Sequence, residues 1–432
     1  MKILIPPQNI NLTGEIQQCL LVAKSYGFAI EDIELGVSST PYLEVGLEGQ
    51  LQTIGIKRSH QCHTSDSHQD VLLDYSIERF DTLLQRNVVE PRHIYINVEF
   101  NLDLALGESV KNTTHYLDVW RGPTSQRAIQ SASTISENEI ERHSSWVVAL
   151  LALDFPIEDA LMVARAAMNV SRETWPTQFE DYPTPILELE QLGIHVGWGV
   201  GEHSIQFPQM AKEKLGLYPV VDSVEWIEAL LRMGVKTVQL RIKNSELSDL
   251  EHQISKSIRL GREYNAQVFI NDYWQLAIKH GAYGVHLGQE DIEESNLVSL
   301  SQAGIKLGLS THGYYELMRI CQISPSYIAL GHIFPTTTKE MPSKPQGLVR
   351  LKLYQQLIDT IPYHSGLGFP TVAIGGIDSN TAPQVWECGV TSLAVVRAIT
   401  LADQPQQVVD WFNSLINKPQ SCIDKEKQHV VG

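Results

Sequence analysis

Cationic and amide side chains gather where one β-branched run of the second half ends, at Gln239, Arg241 and Lys243. If the strand extends to Lys243, its two-residue period places these three side chains on one face. Two cations at the end of a strand that is covered on both sides require an anion to receive them. The spacing therefore predicts an anion-binding site. A solvated strand end with structural salt bridges is the alternative.

Oxygen-bearing side chains follow the next two hydrophobic runs, as Asn271 and Asp272 after the first and Asp291 after the second. Mg²⁺ prefers hard oxygen ligands from carboxylates and substrate phosphates. We therefore predict that Asp272 and Asp291 hold Mg²⁺ beside a bound diphosphate. Either aspartate alone is also explained as a helix N-cap. His286 belongs to the intervening run and is interpreted as a structural histidine.

Hydroxyl groups and glycine follow the later runs. Ser310 ends one run, Thr336-Thr337-Thr338-Lys339 follows the next, and Gly376 allows backbone amides to approach a phosphate closely. Two anion sites result. A metal-assisted diphosphate site comprises Arg241, Lys243, Asn271, Asp272, Asp291 and Lys339, and a monophosphate site comprises Thr336, Thr338, Gly376 and the turn after the last run. This pair predicts a transferase that joins a diphosphate-activated electrophile to a phosphorylated acceptor.

Eight short β-branched runs must position these groups, and helical segments occupy several of the intervals. The predicted strands cover residues 217–222, 237–243, 267–272, 284–288, 306–311, 327–334, 371–377 and 392–398. This count predicts a (β/α)8 TIM barrel over residues 211–419, with its reactive groups at the carboxyl ends of the strands. The dinucleotide glycine fingerprint is missing after the first strand, which disfavours an open nucleotide-binding sheet.

The composition limits the partners of the 432-residue chain. A net charge of −17 argues against nucleic acid or an anionic membrane surface, so the expected partners are small-molecule substrates. No apolar run approaches a membrane span, and the five cysteines form no CxxC pair. We expect a cytoplasmic protein with a polar tail at residues 420–432. The oligomeric state is left open.

The second-half motifs together resemble the thiamine phosphate synthase family. They match it in kind, order and spacing as QLRIK (239–243), IND (270–272), GVHLGQED (284–291), LGLSTH (307–312), GHIFPTTTK (331–339), AIGGI (373–377) and AVVRAI (394–399). The resemblance implies condensation of 4-amino-2-methyl-5-(diphosphooxymethyl)pyrimidine with a thiazole phosphate. The reaction releases diphosphate and uses Mg²⁺.

The same resemblance assigns residues. The pyrimidine diphosphate would be held by Gln239, Leu240, Arg241, Ile242, Lys243, Asn271, Ser310 and Lys339, and Mg²⁺ by Asp272 and Asp291. Arg241, Lys243 and Lys339 would neutralise charge on the leaving diphosphate. The thiazole phosphate would be held by Thr336, Thr337, Thr338, Gly376, Val396 and Arg397. Arg397 stands where the family usually has Ser, so its role is open.

Residues 1–210 predict a smaller α/β domain, with strands at 1–6 and 93–100, helices at 14–29, 146–153 and 157–170, and a polar surface loop at 122–142. Residues 146–170 weakly resemble the last helices of hydroxymethylpyrimidine phosphate kinase, a ribokinase-type fold. The preceding Arg142-His143-Ser144-Ser145 lacks the glycines of that kinase's anion-binding turn. We interpret this half as a degenerate, inactive kinase-like domain or a module of unknown role.

Two other functions fit parts of the second half. Another phosphate-binding barrel, such as an indole or phosphoribosyl isomerase, would need a lysine or paired acids as general acid and base. A non-catalytic sensor of thiamine intermediates would not need Lys339 together with both acids.

Overall fold

The computed structural model describes residues 1–47, 50–58, 69–77, 79–85, 90–101, 114–196, 198, 205–336 and 344–418. Its contacts divide the chain into two units, Met1–His195 and Val196–Gly432. This boundary precedes the predicted one after residue 210, because the segment before the barrel packs with it. Met210 lies in the barrel core, and Ser326 Oγ donates to the carbonyl of Pro208. The predicted tail at 420–432 lies outside the described residues.

A mixed sheet forms the first unit. Its described strands are ordered β2-β1-β3-β4-β5-β6-β7-β8-β9, and β1–β2, β4–β5 and β5–β6 are parallel pairs. The strands are β1 Lys2–Ile5, β2 Glu34–Val37, β3 Leu43–Leu47, β4 Gln50–Lys57, β5 Val71–Asp74, β6 His93–Asn101, β7 Thr114–Arg121, β8 Gln126–Ser131 and β9 Thr184–Pro185, with a hairpin of β10 Glu188–Leu189 and β11 Ile194–His195. The helices are α1 Leu12–Ser25, α2 Phe80–Leu84, α3 Ile140–Ala152 and α4 Ile157–Ala167.

The predicted surface loop at residues 122–142 is wrong. Residues 126–131 form β8, which pairs with β7, and α3 begins at Ile140. The segment is polar overall, but it contains two buried apolar residues, Ala128 and Ile129. Their backbone groups form hydrogen bonds with β7. Residues 142–145 lie within α3, so they form helix rather than a turn.

Ionisable groups are buried between the sheet and the helices of the first unit. Arg165 is 1% exposed, and its Nε donates to Asp118 Oδ2 over 3.0 Å. His143 of α3 is fully buried and its Nδ1 lies 2.7 Å from Tyr75 Oη. Burial lowers the pKa of His143 to about 3, although Asp118 opposes the shift.

The second unit contains a closed parallel barrel, as predicted. Its eight described strands are β12 Gly216–Val221, β13 Thr237–Leu240, β14 Gln267–Asn271, β15 Gly284–Leu287, β16 Lys306–Thr311, β17 Tyr327–Gly331, β20 Thr371–Ile374 and β21 Ser392–Val395. A hairpin of β18 Pro362–Tyr363 and β19 Gly366–Leu367 precedes β20. The helices are α5 Val224–Arg232, α6 Leu250–Glu263, α7 Trp274–His280, α8 Gln289–Glu293, α9 Leu297–Gln302, α10 Tyr314–Cys321, α11 Gly347–Ile358, α12 Ala382–Glu387, α13 Arg397–Thr400 and α14 Pro405–Ile416.

Seven of the eight predicted barrel strands end too late by one to three residues, and only 306–311 matches in full. The second strand stops at Leu240 because the amide of Arg241 donates to Val221 O, the last residue of β12. Beyond that bond β12 has no further residue with which β13 could pair. The polar residues at the strand ends therefore lie partly in loops.

Large aromatic rings fill the barrel interior. Phe269 and Tyr327 are fully buried and meet edge to face, with ring centroids 5.2 Å apart. Glycine on two neighbouring strands makes room for them. A Cβ at Gly284 would lie 2.2 Å from the Phe269 ring, and one at Gly308 would lie 2.1 Å from the Tyr327 ring. The glycines of β15 and β16 therefore leave the space that the rings from β14 and β17 fill.

Within the described ranges no helix is long and apolar enough to cross a membrane.

Gly308→Ala should destabilise the barrel, because the new methyl group overlaps a fixed Tyr327 ring. Overpacking of this kind costs about 1–3 kcal/mol or more. Urea unfolding should show this loss relative to the wild type. Gly366→Ala in β19 is the matched control, since nothing lies closer than 4.0 Å to its added Cβ. Equal stability of the two variants would contradict the packing argument.

His143 should make the first unit less stable in acid. Its folded pKa is lowered to about 3 from an ordinary value of 6.5, so below that ordinary value only the unfolded chain takes up the proton. Stability should fall as the pH falls from about 6.5 to about 3, by at most about 1.4 kcal/mol per pH unit. Urea unfolding at about pH 7 and about pH 5 measures how much free energy of unfolding is lost on acidification. This loss should be about 2 kcal/mol smaller in His143→Gln than in the wild type.

His195→Gln, which removes an exposed histidine of β11, is the control and should keep the wild-type pH dependence. An identical pH dependence in His143→Gln and the wild type would show that His143 does not titrate as its burial requires.

Candidate active site

The end of β13 brings together part of the predicted diphosphate set. Gln239 is 4% exposed and points into the barrel, whereas Arg241 is half-buried and Lys243 is exposed in the following loop. The side chains of Leu240 and Ile242 are buried in apolar packing, so only their main chain is available to a ligand. Tyr273 Oη donates to the carbonyl of Ile242, which ties this loop to the one after β14.

Asn271 and Asp272 follow each other at the end of β14, but they differ in environment. Asn271 is buried in the strand, while Asp272 has a left-handed backbone with φ of 65°. Asp is among the few non-glycine residues that adopt this conformation readily. The amide of Asp272 donates to His286 O and its carbonyl accepts from the amide of Trp274, so the backbone at this carboxylate is fixed.

Asp291 lies in α8, after the neighbouring strand β15. Its Oδ2 accepts a hydrogen bond from the amide of Gly288 over 3.1 Å. Both aspartates therefore lie at the carboxyl ends of adjacent strands. Within the residues the structure describes, no group of three or more His, Cys, Asp or Glu side chains is arranged to hold a metal. Any cation bound by these two carboxylates would need further oxygen ligands from substrate or water.

Ser310 ends a chain of polar side chains that runs through the barrel interior. Its Oγ lies 2.9 Å from His286 Nε2, and His286 Nδ1 lies 2.8 Å from Tyr327 Oη. Tyr327 Oη lies 2.8 Å from Tyr218 Oη, which accepts from Gln239 Nε2 over 3.2 Å. Gln239 and Ser310, both predicted to contact substrate, are thus joined through three residues. The prediction that His286 is structural omitted its direct contact with Ser310.

The segment before Thr336 is held against the glycine pair after β20. The amides of Ile333 and Phe334 donate to the carbonyls of Ile374 and Gly375. Gly375 and Gly376 have φ of 103° and 66°, and a Cβ at Gly376 would lie 2.7 Å from Phe334 Cβ. The structure therefore brings Gly376 beside the segment that leads to Thr336, and glycine is required there for both conformation and close approach.

His332 lies before Thr336, and Gln346 follows the residues outside the described ranges. These two residues are bonded to each other. The amide of Gln346 donates to His332 O, and its side-chain Nε2 donates to Gly331 O. Burial lowers the pKa of His332, and the nearby His312 adds to the effect. The uncharged form of His332 is therefore favoured more than that of an exposed histidine.

Val396 and Arg397 lie where β21 meets the short helix α13. Val396 is the N-cap, and its carbonyl accepts from the amides of Ile399 and Thr400. Arg397 is exposed at the first position of the helix. Since β20 and β21 are paired, Gly376 and this helix start follow adjacent strands. In TIM barrels the loops after these two strands often bind phosphate.

Three predicted site residues, Thr337, Thr338 and Lys339, lie outside the described residues. Two cavities of about 790 and 390 Å³ lie at the opposite end of the barrel, beside Lys214 and Tyr283. Neither is lined by a predicted site residue. We call the carboxyl ends of the barrel strands, where the predicted site residues lie, the polar mouth. It is the better candidate because its residues converge from successive strand ends, whereas the two cavities contain none of them.

Comparison with known proteins identifies the family. A sequence model described as thiamine monophosphate synthase matches residues 217–399. The thiamine-phosphate synthase of Proteus mirabilis (strain HI4320) is 56% identical over 211 residues, which are 49% of this chain and 94% of that protein. The chain belongs to the thiamine-phosphate synthase family.

A second sequence relative gives the same result. The thiamine-phosphate synthase of Yersinia pestis (strain Pestoides F) is 53% identical over 219 residues, covering 51% of this chain and 98% of that protein. A solved thiamine phosphate pyrophosphorylase from Pyrococcus furiosus has 26% identity and a TM-score of 0.41, covering 51% of this chain and 99% of that chain. The assignment rests on the sequence relatives.

Tyr218 and Tyr327 are the site-linked residues that the sequence predictions missed. Both lie in short apolar strands, where their rings suggest only packing. The available signal was strand alternation, which places Tyr218 with Val220 and Tyr327 with Ala329 on the interior face. A buried tyrosine hydroxyl requires a hydrogen-bond partner, so two of them inside one barrel indicate an internal polar network.

Proposed function

We propose that the barrel condenses 4-amino-2-methyl-5-(diphosphooxymethyl)pyrimidine with a thiazole phosphate to give thiamine phosphate and diphosphate. The observation that carries this proposal is the 56% identity over 94% of the Proteus mirabilis thiamine-phosphate synthase. The polar mouth supports it, because its residues supply separate groups for a diphosphate and a monophosphate. The protein is accordingly a transferase with small-molecule substrates.

The pyrimidine substrate reacts by dissociative substitution. The bond between the methylene carbon and the diphosphate oxygen breaks, and its electron pair leaves with the diphosphate. The electron-rich aminopyrimidine stabilises the resulting methylene cation. Arg241 and Lys243, in the loop after β13, neutralise the charge that grows on the leaving group. We propose the same role for Lys339, which is not among the described residues.

The thiazole phosphate is held on the other side of the mouth. We assign its phosphate to Thr336, Thr337, Thr338 and Gly376 and to the backbone at Val396–Arg397. The exposed glycine with positive φ and the start of α13 supply amides that can approach phosphate closely. The thiazole nitrogen then donates its lone pair to the methylene carbon, forming the new C–N bond. Fixing the phosphate makes this capture effectively intramolecular. Arg397 adds a positive charge near this phosphate.

Asp272 and Asp291 fit a Mg²⁺ ion. They are hard oxygen donors at the ends of adjacent strands, and the fixed backbone at Asp272 limits how far its carboxylate can move. When bound, Mg²⁺ stabilises negative charge on phosphate oxygens. The protein's own part is to hold two carboxylates in place and to leave the remaining ligand positions to substrate and water.

The first unit is proposed to lack hydroxymethylpyrimidine phosphate kinase activity. Residues 142–145, where that kinase has its anion-binding turn, lie inside α3, and His143, Ser144 and Ser145 are fully buried. The amides of residues 143–145 are bonded to carbonyls one turn earlier, so they cannot form an anion nest. We also propose a cytoplasmic location, since the described cysteines Cys19, Cys321 and Cys388 are free thiols.

The full chain should form thiamine phosphate from the pyrimidine diphosphate, the thiazole phosphate and Mg²⁺. Product should be followed by chromatography, and released diphosphate by a coupled assay. Omission of any one component should abolish both signals. A non-catalytic sensor would bind either substrate in calorimetry and release no diphosphate, so binding without turnover would contradict the proposal.

Asp272→Asn should fold normally and lose Mg²⁺-dependent rate, because Asn keeps the left-handed backbone while removing the charge. We expect a fall of roughly 100-fold in kcat, comparable to the loss of one charge-stabilising group. Asp272→Ala should also lose stability, by about 1 kcal/mol, because alanine is strained at positive φ. Mg²⁺ titration of the initial rate and urea unfolding separate the two effects.

The control for this test is Asp403→Asn, which removes an exposed carboxylate that follows α13. It should keep the wild-type rate and Mg²⁺ dependence. If Asp272→Asn behaves like this control, the metal assignment is wrong.

A further inference from the structure

The polar chain inside the barrel has a direction that is fixed by its two ends. Its members, in order, are Gln239, Tyr218, Tyr327, His286 and Ser310, and consecutive members lie 2.8 to 3.2 Å apart. The first four are buried, and Ser310 lies half-buried at the mouth. Buried polar groups need a full set of hydrogen bonds, so the protons must be distributed in a way that leaves none unused.

Gln239, the first member, sets the direction of the hydrogen bonds along the chain. Gln239 presents Nε2 to Tyr218, and an amide nitrogen only donates. The Tyr218 oxygen therefore accepts, and its own proton needs another acceptor. Among the residues that the structure describes, the hydroxyl oxygen within hydrogen-bond distance of Tyr218 Oη is that of Tyr327, 2.8 Å away. Tyr327 in turn donates to His286 Nδ1, over 2.8 Å.

The hydrogen bond from Tyr327 determines the tautomer of His286. A ring nitrogen that accepts a hydrogen bond carries no proton, so the ring proton lies on the other nitrogen. Since Nδ1 accepts from Tyr327, the proton lies on Nε2, which donates to Ser310 Oγ over 2.9 Å. The reverse direction would leave the Tyr218 hydroxyl proton without an acceptor in the barrel interior, at a cost typical of an unsatisfied buried donor.

We infer that this directed chain makes Ser310 a hydrogen-bond donor toward the substrate, with Tyr327 and His286 acting as positioning residues. Because Nε2–H occupies a lone pair of Ser310 Oγ, the serine proton must point away from His286, into the mouth. Gln289 Nε2 donates to the carbonyl of Ser310 over 2.7 Å and fixes the backbone there. The group that receives the proton is an acceptor atom of the pyrimidine diphosphate.

The identity of that acceptor rests on the proposed function, whereas the direction of the chain does not. The ring of His286 stacks on Tyr327, with centroids 5.7 Å apart, so packing holds both groups in register. Packing alone, however, does not choose between the two tautomers. A measurement of the tautomer therefore separates a directed chain from a merely structural one.

The experiment measures the ¹⁵N shifts of the His286 ring in the full-length, ligand-free protein at pH 7, with His286→Gln to assign the signals. We expect a pyridine-like Nδ1 and a pyrrole-like Nε2. Tyr218→Phe should keep this pattern, because Tyr327 still donates to Nδ1. Tyr327→Phe should shift population toward the Nδ1–H tautomer, because the donor to Nδ1 is gone. Tyr363→Phe, which removes a buried hydroxyl at the other end of the barrel, should change nothing.

Kinetics give the second readout. Ser310→Ala should lower kcat by roughly 100-fold, as expected for loss of a donor to a group that gains charge. Tyr327→Phe should lower kcat by about tenfold with little change in the KM of the thiazole phosphate. Tyr363→Phe should keep the wild-type kcat.

An Nδ1–H tautomer or a charged imidazole in the wild type would overturn the inference, as would an unaltered Nδ1 signal in Tyr327→Phe. These outcomes are readable even if the protein fails to make thiamine phosphate. Failure of turnover would contradict the proposed function and leave the measured direction of the chain standing. If Tyr327→Phe does not fold, the wild-type spectrum and Tyr218→Phe still decide the direction.

Discussion

The fit of Phe269 and Tyr327 inside the barrel is the constraint on which the second unit depends. A side chain at Gly284 would overlap the Phe269 ring, and one at Gly308 would overlap the Tyr327 ring. Once the Tyr327 ring is placed, its hydroxyl lies between Tyr218 and His286 and must bond to both. The packing of the core thereby determines where a polar chain can run, and that chain reaches the mouth at Ser310.

The closed barrel was predictable from the sequence because its strands are short, buried on both faces and separated by helices. What the sequence could not supply was the end of each strand. Residues 239–243 continue the strand pattern, yet pairing with β12 stops at Leu240 because β12 ends at Val221. Strand ends are set by the length of the neighbours, which is a property of the fold and not of the local sequence.

The first unit shows the opposite difficulty. Residues 126–131 have a loop-like composition, but the ladder with β7 makes them a strand. Propensity is weak where tertiary hydrogen bonds are available. The same unit buries the Asp118–Arg165 pair, whose residues lie far apart in sequence and in segments with no chemical motif. Pairings of this kind depend on topology and leave no trace in local spacing. The predicted kinase-like ancestry of this unit stays a prediction.

The candidate site divides into groups that the sequence could and could not identify. Charged residues such as Arg241 and Asp272 were predicted from the sequence because charge at a strand end requires explanation. Tyr218 and Tyr327 were missed because an aromatic residue in a strand is explained by packing alone. His286 was correctly placed in the strand, but its link to Ser310 needed the distance between two neighbouring strands.

These environments also explain how the mouth can be both packed and reactive. Gln239 and Asn271 carry neutral amides and lie inside the strands, where each can be buried at low cost if its hydrogen bonds are made. Arg241, Lys243 and Asp272 lie just beyond the ladder, where water and ligand can reach their charges. Moving a charge one residue back into the strand would leave it buried without a partner. The ladder ends therefore separate the buried neutral amides from the charged groups that water and ligands can reach.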